Sequence, residues 1–369
     1  MPERAYMPDY LRLFALFGIV VVNVQGMAYP LAGGFSAAST LGPLDRVVVW
    51  LVDGLAFFKT YGLFSFMFGV GLAFQMRAAE RRGLGFGPLY RNRMLGLFAL
   101  GLGHGCLLFA YDILVLYALT GALLFLIRGW TVRALLRLAA GLLLVQIVMS
   151  SVILVAPPPD DFGEIERQVL TGGTFLEVTL FRTIAFFATF PYLLVLQGPT
   201  ALGWFAIGLA AVKSGLIDTP DHPLWRRARR WCLGPGVAVS LIGAGLIALG
   251  ETGLGTVLLL AAAPLATMGY LGVIAAVARP PGRVMAWVLT AGGASLSVYL
   301  GQSLILATVF APYGLGLWDA VRPSAAVLFA LAVTIGLILA LALWRTWFAM
   351  GPFEWVLRRI TYLGQVARP

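Results

Sequence analysis

Apolar residues run along this chain in long uninterrupted stretches and do not alternate with polar ones. A helix crossing a bilayer takes about 20 apolar residues, and continuous runs without a period of two favour helices over a barrel. Ten stretches approach that length, roughly 11–30, 55–76, 94–110, 113–128, 138–156, 190–215, 232–250, 255–278, 285–311 and 326–344. The pattern predicts an all-α fold, a polytopic membrane helical bundle in one integral domain, with an amphipathic segment at 351–362. No polar stretch is long enough for a separate soluble domain. The first stretch exceeds the apolar core of a usual signal peptide and reads as a retained span.

Composition agrees: 60% of the 369 residues are hydrophobic and 11% charged, where soluble domains carry about 25% charged residues. Mean hydropathy is +0.91. The net charge of +10 is almost all arginine, since Lys59 and Lys213 are the only lysines. These arginines follow even-numbered spans: Arg77, Arg81, Arg82, Arg91 and Arg93 after the second, Arg226, Arg227, Arg229 and Arg230 after the sixth. Arginine held on one side of a membrane marks the cytoplasmic loops, so both termini are expected in the cytoplasm and no nucleic-acid partner is implied. The opposite-side loop 157–178 carries Asp160, Asp161, Glu164, Glu166 and Glu177. Segment 179–217 has the length for two crossings. One crossing keeps the Arg226–Arg230 cluster inside, with an amphipathic helix around 164–189 on the outer interface, entered through Pro157, Pro158 and Pro159.

Against this background a few polar side chains stand out. An ionisable group at membrane depth costs roughly 2.5 kcal/mol or more unless paired or wet, and marks function by default. His104 lies some 15 Å into the third span, flanked by Gly101, Gly103 and Gly105, and the only other histidine is His222. Asp112 follows in the turn before the fourth span; contact with His104 needs a bend there, because a straight helix would separate them by about 12 Å. A neutral imidazole takes a proton from a hydroxyl or amine, and a carboxylate fixes its tautomer. In the first span Asp9 and Arg12 pair at i, i+3. Asn23 returns to the face of Arg12 about 16 Å deeper, which gives either a polar path inward or a snorkelling arginine and a helix-joining amide.

The ninth span holds Ser295, Tyr299, Gln302 and Ser303 at three-and-four spacing, a face that must meet protein or water. Gln197 precedes Gly198-Pro199, a kink or a cavity wall. Glu354 and Arg358, four apart after the last span, are placed to pair. Cys106 and Cys232 differ in depth and suggest no disulfide. There is no phosphate-binding glycine loop, metal-ligand spacing or nucleophile elbow.

The chain resembles the YeiB-like family of bacterial inner-membrane proteins. The resemblance rests on Asp9-x-x-Arg12 and Asn23, Phe64-Ser65-x-x-Phe68-Gly69-x-Gly71, Gly101-x-x-His104-Gly105, and Asp112-Ile113-Leu114 with Tyr117. It continues through Gly208-x-Ala210-Ala211, Ser297-x-Tyr299-Leu300-x-Gln302-Ser303 and Gly351-Pro352-x-Glu354-Trp355. That family in turn is similar to transmembrane acyltransferases such as the lysosomal heparan glucosaminide acetyltransferase. The similarity implies a cytoplasmic acyl-CoA co-substrate, an acceptor on the envelope side, and no tightly bound cofactor. It implies an active-site role for Asn23. The histidine that follows the asparagine by about one loop turn in the lysosomal enzyme is missing here, where Ala32-Gly33-Gly34 stands. His104 would replace it from another helix. Arg12 is also followed by Leu13, where the family often has glycine.

The site expected on this basis has His104, Asn23 and Asp112 as catalytic groups and Asp9 and Arg12 at the acyl-CoA. Tyr299, Gln302, Ser303 and Tyr117 would meet substrate, and no metal is expected. The competing classes are a small-solute or proton-coupled transporter, against which no internal repeat or paired broken helices are visible, and a non-catalytic partner in a membrane assembly.

Overall fold

A computed structural model describes residues 6–153 and 163–364; Pro157–Pro159 and the acidic Asp160 and Asp161 lie outside the described residues. The chain is all-α, with no strand among the described residues. The first half comprises α1 (Met7–Asn23), α2 (Gln25–Ala28), α3 (Pro43–Leu55), α4 (Lys59–Glu80), α5 (Phe86–Leu107), α6 (Leu114–Leu126), α7 (Val132–Ile153) and α8 (Gly163–Gly172). The second comprises α9 (Phe175–Lys213), α10 (Pro223–Trp231), α11 (Leu233–Ala248), α12 (Thr252–Val277), α13 (Arg283–Leu289), α14 (Ser295–Phe310), α15 (Pro323–Trp347) and α16 (Pro352–Thr361). Eight helical segments among the described residues are long and apolar enough to cross a bilayer, and α6 is a shorter apolar helix. The protein is a polytopic membrane bundle.

Cross-links gather at its two ends. At the terminal face Arg82 donates to the Tyr362 hydroxyl at 2.6 Å, Asn92 to the Leu363 carbonyl at 3.0 Å, and Lys213 to the Trp130 carbonyl at 2.6 Å. At the distal face Glu166 accepts from the Leu31 amide at 2.9 Å, Asp319 from the Ser39 amide at 3.0 Å, and Asp45 from the Ser324 amide at 3.0 Å.

Segment 175–213 is one helix. Its 39 residues extend about 58 Å, so 179–217 holds no antiparallel pair of crossings. The expected amphipathic helix at 164–189 divides in two. Gly172-Gly173 ends α8, and Thr174 starts α9 with a capping box, its hydroxyl accepting from the Glu177 amide while Glu177 accepts from the Thr174 amide at 2.7 Å. Pro191 and Pro199 lie inside α9 without ending it; in a bundle, packed neighbours supply what a proline removes from the helix ladder. Further in, α4 and α9 pack backbone to backbone. A Cβ at Gly69 would run into the Phe205 carbonyl, and one at Gly208 into the Phe66 carbonyl. Small residues of this kind let helices approach where lipid offers no hydrophobic drive.

Two helix breaks were not visible in the hydropathy pattern. Between α3 and α4 the chain turns at 56–58, with Phe58 at φ 63° in the left-handed region, a conformation a bulky residue holds only when its surroundings impose it. Between α13 and α14 a 3-10 segment at Thr290–Ala294 interrupts the helix.

Candidate functional site

The site is built at the end of α5. The Leu108 and Phe109 amides both donate to the His104 carbonyl, each at 2.9 Å, which closes the helix and turns the chain. Asp112 then meets two donors: its Oδ2 accepts from the Val115 amide at 2.9 Å, fixing the start of α6, and its Oδ1 lies 2.8 Å from His104 Nδ1. The turn supplies the bend that the sequence required. His104 and Asp112 are 3% and 0% exposed, so the pair is buried. In the neutral tautomer that donates from Nδ1 to the carboxylate, the lone pair is on Nε2. Nε2 is buried and has no hydrogen-bond partner.

Glycines permit this close fold. A Cβ on Gly101 would stand 2.6 Å from the Val115 nitrogen and 2.9 Å from Asp112 Oδ2, and one on Gly105 would stand 2.6 Å from the Phe186 ring. Gly103 has open space around it.

Tyr299 of α14 packs beside the imidazole, ring centroids 5.1 Å apart and the planes tilted by 42°. Its buried hydroxyl lies beside Asn23, Asp112 and the Ile113 amide. Four of the expected residues, His104, Asp112, Tyr299 and Asn23, thus converge from α1, the α5–α6 turn and α14.

Two cavities approach this cluster from opposite ends. The terminal cavity, about 190 Å³, runs from Arg12, Gln75 and Arg93 to Tyr117 and Tyr299. The distal cavity, about 420 Å³, runs from a mouth at Leu31, Gly33, Gly34 and Ser36 down to Asn23 and Tyr61. Ile113 lines both. One face of α1 serves the whole path: Arg12 and Ala15 in the terminal cavity, Ile19 and Asn23 in the distal one. Arg12 Nη1 bonds Asp9 Oδ1 at 3.0 Å. Tyr117 lines the terminal cavity and shares a 2.8 Å hydrogen bond with Ser65.

Gln302 and Ser303 are placed elsewhere. Gln302 donates to the Leu16 carbonyl at 3.2 Å and to Thr334 at 2.8 Å, and the Ser303 hydroxyl donates back to the Tyr299 carbonyl at 3.4 Å. Neither lines a cavity described above; the geometry makes Gln302 a tie between α1, α14 and α15. The expected Glu354–Arg358 pair is replaced by a helix cap: Glu354 accepts from the Leu296 and Ser297 amides at 2.7 and 3.1 Å and from the Ser297 hydroxyl at 2.5 Å.

Several groups escaped the sequence reading. Arg93, counted there as a loop charge, faces the terminal cavity with Arg12. Lys59 is 0% exposed at the α3–α4 break, its Nζ on the Asp53 carbonyl at 3.1 Å, and Asp53 lines the distal cavity. A lysine inside an apolar stretch was the available signal. Arg182 of α9 is buried and donates to the Leu107 carbonyl at 3.0 Å, the Ala307 carbonyl at 3.3 Å and the Tyr313 hydroxyl at 2.8 Å. It ties the C-terminal ends of α5 and α14, the helices that carry His104 and Tyr299. Among the described residues, no three His, Cys, Asp or Glu side chains gather in a way that would hold a metal ion, and Cys106 and Cys232 are free.

A family described as "Protein of unknown function (DUF418)" matches residues 211–364. The protein YxaH of Bacillus subtilis (strain 168), itself uncharacterized, is 30% identical over 405 residues, covering 98% of this chain and 95% of YxaH. The chain belongs to the DUF418 family. YeiB of Escherichia coli (strain K12) is 26% identical over 384 residues, covering 97% of this chain and 96% of YeiB. A 39.9 kDa protein from the amylase 3' region of Bacillus acidopullulyticus is 24% identical over 379 residues, with 98% and 95% covered. These DUF418 relatives match along the whole bundle, including the site-bearing helices. No solved structure matches the chain.

Proposed function

We propose that this DUF418 protein is a membrane-embedded acyltransferase that moves an acyl group from a cytoplasmic acyl-CoA to an acceptor at the outer face of a bacterial cytoplasmic membrane. The observation that carries the reading is the pair of cavities that enter from opposite faces and end at the residues around one buried His–Asp pair. Tyr299 lines the terminal cavity, Asn23 the distal one and Ile113 both, with His104 and Asp112 themselves behind these walls. The arginine-rich terminal face is taken as cytoplasmic on the positive-inside rule. CoA phosphates meet Arg12 and Arg93 at its mouth, since guanidinium groups bind phosphate oxygens in pairs, and the thioester reaches Tyr299. An acceptor enters from the distal cavity. His104 Nε2 takes the proton from the acceptor hydroxyl or amine as that atom bonds to the acyl carbon. The C–S bond then breaks, and the proton passes from His104 to the departing thiolate. The Tyr299 hydroxyl and the Asn23 amide are the donors available to the oxyanion in between. A site closed to bulk water protects the thioester from hydrolysis.

Calorimetry of acetyl-CoA binding to the detergent-purified protein tests the donor half of this reading. Saturable binding that is lost in Arg12→Ala supports it; no binding at millimolar donor contradicts it.

One observation favours a transporter instead. A span-length segment broken between α3 and α4, with Asp53 and Lys59 beside the break, resembles the discontinuous helices in which secondary transporters bind ions and substrates. Counterflow of solute in proteoliposomes without any thioester would select that reading.

A further inference from the structure

The two cavities carry opposite charge. Among the residues lining the terminal cavity are two guanidinium groups and no carboxylate; among those lining the distal cavity are one carboxylate, Asp53, and no cation. Asp53 is delivered there by the α3–α4 break. Lys59 stays behind the cavity wall, fully buried, with Nζ on the Asp53 backbone carbonyl. Lys59 meets the backbone carbonyl and not the carboxylate, and the charged group that lines the cavity is the carboxylate. Gln25 of α2 stands beside Asp53, its buried side-chain amide turned toward the carboxyl. A carboxylate that can only accept, beside a side-chain amide that both donates and accepts, is matched by a ligand with hydroxyl or amine groups. An anion would set its charge against Asp53 where the low dielectric magnifies repulsion. The cavity, about 420 Å³, lies within the size range of small-molecule sites, roughly 300–1,000 Å³.

We propose that Asp53 and Gln25 form a recognition site for a small, non-anionic molecule bearing several hydroxyl or amine groups. The inference rests on the acyltransfer reading only in calling that molecule the acceptor. A neutral polyol therefore binds and its phosphorylated form is rejected, the reverse of the preference at the terminal face.

The test is saturation-transfer NMR on the full-length protein in detergent, with inositol and inositol 1-phosphate as probes. Inositol is expected to receive saturation and the phosphate to bind about tenfold more weakly or worse. Loss of a hydrogen bond to a charged group predicts a drop for inositol of about tenfold or more in Asp53→Asn. Because that variant leaves Lys59 buried without its counter-charge, Asp53→Asn/Lys59→Met and Gln25→Leu are measured beside it, each checked for a single size-exclusion peak. Equal binding of the two probes, tighter binding of the phosphate, no saturation of inositol at tens of millimolar, or unchanged inositol binding in all three variants overturns the proposal. Acetyl-CoA binding is read separately, so a protein that binds inositol but no thioester keeps the distal site and loses the acyltransfer reading.

Discussion

Replacing Gly101 by alanine adds one methyl group at the point where α5 meets the His104–Asp112 turn. Its Cβ would stand 2.6 Å from the Val115 nitrogen and 2.9 Å from Asp112 Oδ2. The nitrogen is backbone, and the carboxylate oxygen is a side-chain atom pinned by the Val115 amide at 2.9 Å, so neither swings aside freely. Restoring an ordinary contact near 3.4 Å moves the turn by about 0.8 Å. Such a movement takes the 2.8 Å His104–Asp112 contact to as much as about 3.6 Å, beyond a hydrogen bond. Gly103, two residues on in the same helix, has nothing within 4 Å of its Cβ position and makes the matched control. Alanine gains about 1 kcal/mol of helix propensity over glycine at either site, so the difference between the variants isolates the clash, expected at about 1–3 kcal/mol. Thermal unfolding of the two purified variants in one detergent reads it. Gly101→Ala should melt several degrees below Gly103→Ala and lose thioester turnover, while Gly103→Ala keeps both. Equal melting and equal turnover would refute the claim that close packing at Gly101 holds the pair together.

Asp112→Asn should fold but lower turnover about 100-fold or more, since the amide no longer fixes the imidazole tautomer; single-turnover thiol release measures this. Arg93→Ala should weaken acetyl-CoA binding without altering thermal stability by more than a degree or two, and unchanged affinity in calorimetry would remove Arg93 from the donor site. Glu354→Ala strips the cap from α14 and should cost about 1–2 kcal/mol, visible as a lower melting temperature, whereas Arg358→Ala, which removes no cap, should leave melting in place.

Hydropathy alone made the long helices legible, because a bilayer demands uninterrupted apolar runs and leaves few other ways to read them. The rarity of polar groups in such runs likewise singled out His104, Asp112, Asn23 and Tyr299, which the fold brings to one place. Other features depend on what each residue packs against. α3 is only 13 residues long and opens with Asp45 and Arg46, so no span-length window reveals it, and the break before Lys59 disappears into the apolar average. α9 continues through Pro191 and Pro199, which in isolation read as interruptions. Gln302 shares its helix face with Tyr299 in a helical count, yet Thr334 and the Leu16 carbonyl draw it to the other side. Arg93 and Arg12 come from distant helices, and only the packing of α1 against its neighbours makes them one mouth.

The most direct test of the central claim is thiol release from acetyl-CoA by inverted membrane vesicles of over-expressing cells, which retain the native envelope acceptors. Wild-type vesicles should release CoA thiol saturably, and vesicles with equal amounts of His104→Ala should fall to the background of cells lacking the protein. Equal release by wild type and His104→Ala, or none above background from wild type, would contradict acyl transfer at the His104–Asp112 pair.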